Sequence, residues 1–210
     1  MHSATPAFSA IPPTWARPSE VKVSRELLRT GEHADFTYCI GEERIPAHSQ
    51  IILIRAPDTF LANMLTSPMR EKKDREAKIV ETSAATFRLI LEFVYTGHCT
   101  VPDDIGAMTD LYMAADKYQI LEVCEWVRLL LVRRLKCANL TDQCVALENF
   151  GDAQTPDAAI FKFICTRAVF RNWDPIKELN AWKGVAERPA LLMEMFGIIT
   201  KNASFVTRFK

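Results

Sequence analysis

The chain has 210 residues, 49% apolar and 25% charged, enough for one or two packed cores and incompatible with intrinsic disorder or a collagenous repeat. Its 26 basic and 26 acidic residues cancel, which removes any whole-molecule attraction for polyphosphate or an anionic membrane, so a partner must be recognised by shape. The six cysteines (Cys39, Cys99, Cys124, Cys137, Cys144, Cys165) stand apart in apolar stretches, without a C-x-x-C pair or a following His cluster. That spacing offers no zinc site and reads as reduced, buried thiols of an intracellular protein.

Residues 1–19 carry Pro6, Pro12, Pro13 and Pro18 but neither the charged nor the long apolar region of a secretory leader, and read as a loose tail. Val23, Leu27 and Leu28 fall on one face of a short amphipathic helix that Gly31 stops. Phe36 to Ile40 is β-rich, Gly41-Glu42-Glu43 is a turn and Arg44-Ile45 returns, giving a hairpin. A helix starts near His48 and carries Ile51 to Ile54; Pro57-Asp58 breaks it before Phe60, Leu61, Met64 and Leu65 resume helical spacing. The charged stretch from Met69 to Lys78 reads as a solvated connection, and Ile79-Val80-Glu81 as a strand. Ser83 caps a helix whose Phe87, Ile90, Leu91 and Val94 repeat at helical spacing up to Gly97. Met108 to Ala115 and Leu121 to Leu135 continue as helices, the second needing cover on several sides. From Asn139 onward the pattern is helical throughout: Thr141–Phe150, Asp157–Phe170, Asp174–Leu179 and Pro189–Ile199.

This order of elements is punctuated by Asp35-Phe36, Ile45-Pro46-Ala47-His48, Phe93-Val94-Tyr95-Thr96-Gly97 and Ala114-Ala115-Asp116-Lys117-Tyr118, and it resembles the BTB/POZ fold, most closely its speckle-type POZ branch. Cys137-Ala138-Asn139-Leu140-Thr141 and Ala181-Trp182-Lys183-Gly184 resemble the short BACK-type extension of that branch. The resemblance implies an α+β fold: a BTB/POZ domain at 20–136, with a small mixed sheet and a helical cluster, then an all-helical BACK-like extension at 137–200, flanked by tails at 1–19 and 201–210. The residues ahead of the fold are too few for that branch's substrate-capturing MATH domain, and no Kelch repeats follow.

The helix bearing Val23, Leu27 and Leu28 precedes every strand, so either a second subunit covers it or it folds back on its own domain. The family arrangement would add Ile51 and Ile52 to a dimer seam, in a homodimer or a heterodimer with related BTB proteins. The resemblance also implies a surface for the cullin-3 scaffold of ubiquitin ligases, with the apolar-x-acidic motif Met69-Arg70-Glu71 at its centre and Leu65 and Tyr118 beside it. Met69 would fill an apolar pocket as a soft anchor; alternatively it caps its own core and Glu71 is one more solvated charge. Asp35 and His48 resemble the family's buried polar pair, though Ser49 stands where transcription repressors of the family carry a basic residue.

An Asp35-His48-Ser49 triad is disfavoured because a Ser next to its own His in a helix points about 100° away from it. With seven scattered glycines there is no phosphate loop either. No catalytic residue, cofactor or metal is expected. The basic residues Arg128, Arg133, Arg134 and Lys136 are dispersed among core positions, which speaks against nucleic acid; no membrane contact is expected either. The expected function is a dimeric adaptor or regulator joining an unknown ubiquitylation target to cullin-3, resident in cytoplasm, nucleus or both. The alternative is a BTB oligomerisation module in a transcriptional or scaffold complex.

Overall fold

The computed structural model describes residues 18–66 and 75–206. The described residues divide into two units, one within 18–101 together with 113–123, the other 102–112 with 124–206. The first unit holds α1 (Pro18–Thr30), β1 (Phe36–Ile40), β2 (Glu43–Ala47), α2 (Ser49–Arg55), α3 (Phe60–Thr66), β3 (Glu76–Lys78) and α4 (Ala84–Thr96). Helices α5 (Ile105–Lys117) and α6 (Leu121–Cys137) give residues to both units. The second unit continues with α7 (Leu140–Asn149), α8 (Pro156–Arg171), α9 (Trp173–Ile176), α10 (Asn180–Ala186) and α11 (Pro189–Val206).

Among the described residues the sheet is three-stranded, in the order β2-β1-β3. Strands β1 and β2 are antiparallel, with Tyr38 opposite Ile45, and β3 runs parallel to β1, with Ala77 beside Tyr38. Because side chains alternate along a strand, Phe36, Tyr38, Ile45, Ala47 and Ala77 share the buried face. Their core is aromatic: the Tyr38 ring meets Phe36 at 5.2 Å and Phe87 at 4.9 Å, and Phe87 meets Tyr118 at 5.4 Å, all edge-on.

The third strand lies earlier than the apolar run predicted. Ile79 keeps one rung, its N–H donating to the Cys39 carbonyl at 2.8 Å, but the Val80 carbonyl accepts from Lys117 Nζ at 2.6 Å. Glu81 then takes a left-handed backbone (φ 60°), which ends the extended chain. Helix α4 follows its sequence signals: the Ser83 hydroxyl accepts from the Thr86 N–H at 3.1 Å, and Gly97 is left-handed, with its N–H on the Phe93 carbonyl.

Gly31 closes α1 in the same left-handed way (φ 65°), its N–H donating to the Leu27 carbonyl at 2.9 Å. A Cβ at Gly31 would stand 2.5 Å from Pro46 Cγ of β2, too close for any side chain. Gly31→Ala is therefore expected to lower stability by about 1–3 kcal/mol, from backbone strain plus the displaced proline ring, read as a shifted urea midpoint at unchanged slope.

In the second unit, Asn139 and Thr155 cap α7 and α8 through the N–H groups of Asp142 (2.9 Å) and Ala158 (3.2 Å), and Pro156 starts α8. Helix α8 buries Ala158, Phe161, Cys165 and Val169, and α7 buries Cys144, Ala146 and Leu147. Helix α10 was not resolved by periodicity, being a seven-residue helix with Gly184 in it. Burial pushes the Cys144 thiol up to about 11 and the Cys165 thiol to about 12, so both are poor nucleophiles at neutral pH.

Candidate interaction surfaces

Helix α1 rests on α4 of its own chain, with Ser24 buried, Leu27 and Leu28 half-buried, and Arg25 within 3.3 Å of Glu92. Val23, one turn before Leu27, lies at the open edge of this face and is 60% exposed. On α2, Ile52 is fully buried in its own unit, which removes it from any seam, and Ile51 is half-buried. The apolar side chain that α2 exposes is Ile54, at 76%, missed in the sequence because four consecutive apolar positions hide which one faces out.

Asp35 and His48 form no buried pair. Asp35 is exposed, and its two carboxylate oxygens accept from the backbone N–H of Ser49 at 2.7 Å and from the Ser49 hydroxyl, which pins the start of α2. His48 looks the other way. Its Nε2 donates to the Glu32 carbonyl at 2.7 Å, since a carbonyl can only accept, and its Nδ1 then accepts from the Tyr95 hydroxyl at 2.9 Å. The His48 N–H donates to that same hydroxyl at 2.7 Å, so one histidine ties α2, the α1–β1 connection and α4 together. Burial pushes the Tyr95 phenol up to about 12.

Partial burial raises the Asp35 carboxyl, but the hydrogen bonds from the Ser49 hydroxyl and amide and from the amide of Asp35 itself outweigh it and hold the group below the usual carboxylate range. A depressed carboxylate contributes stability above its unfolded value, about 3.9, and loses it as pH falls through the lower folded value. Asp35→Asn is therefore expected to be less stable than the parent at neutral pH, with the gap closing on acidification below about pH 4. Thermal midpoints of the two chains across pH 2–7 check this; a gap constant with pH would remove the carboxylate's part.

The Ser49 hydroxyl donates to Asp35 and not to the imidazole, so these three residues lack the serine-to-histidine hydrogen bond on which a hydrolytic triad depends. Among the described residues no group of three His, Cys, Asp or Glu is placed to hold a metal ion, and no helix is long and apolar enough to cross a membrane.

The motif Met69-Arg70-Glu71 lies outside the described residues, between α3 and β3. Its two expected neighbours are core residues: Leu65 is 8% exposed and Tyr118 1%. Tyr118 packs its ring on Phe87, places its hydroxyl 3.1 Å from that of Thr82, and accepts the Phe60 N–H on its carbonyl at 3.1 Å. A side chain so engaged anchors the local backbone and presents nothing to a partner. The exposed apolar side chains of these segments are instead Phe60, Val80, Met113 and Leu121.

A small mixed sheet packed with helices, with Val23 of α1 and Ile54 of α2 exposed, makes an α+β fold. Residues 25–135 match the BTB/POZ domain family, and the chain belongs to it: a protein–protein interaction and dimerisation module. Over 190 residues it is 23% identical to BTB and MATH domain-containing protein 40 of Caenorhabditis elegans, covering 88% of this chain and 46% of that protein. It is 28% identical over 148 residues to the worm's BTB and MATH domain-containing protein 42, covering 66% and 35% respectively. Human BTB/POZ domain-containing protein 9 is 30% identical over 99 residues, 46% of this chain and 16% of that one. The chain thus spans less than half the length of each of these relatives. Among solved structures it is similar to the BTB domain of zebrafish PATZ1, at 19% identity over 56% of this chain and 97% of that one, with a TM-score of 0.44. The BTB domain of human Gigaxonin is similar at 19% identity over 57% and 96%, with a TM-score of 0.42.

Proposed function

We propose that this chain is a dimeric adaptor or regulator of a cullin-3 ubiquitin ligase, without catalysis of its own, acting in the cytoplasm, the nucleus or both. The observation that carries the reading is the BTB/POZ match over residues 25–135, which contains Met69-Arg70-Glu71 in the connection after α3. Support also comes from the worm relatives, whose names pair a BTB with a MATH domain and whose likeness runs over as much as 88% of the chain. In this reading Met69 enters an apolar pocket of the scaffold, a role suited to an unbranched, polarisable side chain, and Glu71 meets its basic rim. Residues 137–200 act as a BACK-like extension, and Val23 and Ile54 meet a second subunit alongside Leu27, Leu28 and Ile51.

Met69→Asp and Glu71→Lys test the motif. Each is expected to weaken binding to the N-terminal domain of cullin-3 at least tenfold in calorimetry while the mass of the free dimer stays unchanged, because a charge in an apolar pocket or a reversed charge at its rim removes about 1.4 kcal/mol or more. Undiminished binding by both variants would take the motif out of the interface.

A further inference from the structure

We draw no further inference here: the strongest candidate, the apolar outer face of α11, where Met193 and Phe196 stand exposed with Phe170 and Trp173 in line beside them, carries nothing because nothing in the structure shows what covers it.

Discussion

Glu194→Ala is expected to destabilise the helical unit by about 3–5 kcal/mol, far more than an ordinary partly exposed glutamate would. The reason is its partner. Lys162 is only 2% exposed, and its ammonium is held by the Glu194 carboxylate at 2.8 Å and the Ala153 carbonyl at 3.0 Å. Removing Glu194 leaves a buried positive charge with one neutral acceptor, and the desolvation cost of that charge is no longer offset. Lys162→Met should behave differently, since methionine fills much of the same space without a charge and the Glu194 side chain, 35% exposed, can turn to water. A change within about 1.5 kcal/mol is expected there. Urea unfolding of both variants decides the point. If the two cost the same, the asymmetry of burial is not what sets the energetics of this pair.

Val23→Asp with Ile54→Asp is expected to convert the dimer to a monomer at micromolar concentration while the single chain stays folded, read as an unchanged circular-dichroism spectrum. Both side chains are exposed in the single chain, so an aspartate at either position meets water in the monomer and an apolar partner in the dimer. A two-fold interface buries each substituted position twice, and each lost apolar burial removes roughly 1.5–3 kcal/mol, enough to raise the dissociation constant more than a thousandfold. Leu27 and Leu28 are less clean sites for this experiment: they are already half-buried where α1 rests on α4, and charges there would disturb the fold as well as the seam. Light scattering reads the mass; an unaltered dimer would move the seam elsewhere.

Local chemistry made part of this molecule readable in advance. The helix from Ser83 to Gly97 announced itself because its cap, its apolar repeat and its left-handed stop are all encoded within fifteen residues. Strand β3 was hidden for the opposite reason. Only Ala77 of its three residues is buried, the flanking charges imitate a solvated loop, and its pairing with β1 is parallel and therefore non-local. The sites split along the same line. Residue type suggested an apolar seam and an apolar anchor, but which of Ile51, Ile52 and Ile54 faces out is set by α4 beneath them, and no periodicity within α2 reports it. Tyr118 and Leu65 fail for that reason too, since an aromatic or leucine near a predicted surface is drawn inward wherever a core can take it. Asp35 and His48 were paired by their closeness in the family pattern, whereas the hydrogen bonds give each a different partner: Ser49 for one, Glu32 and Tyr95 for the other.

The most direct test of the ligase reading is the mass of the purified chain mixed with the N-terminal domain of cullin-3, measured by light scattering on a sizing column. Two copies of each protein in one peak is the predicted result. A chain that elutes as a dimer with the cullin fragment running separately, at concentrations well above micromolar, would contradict it and leave dimerisation as the module's remaining task.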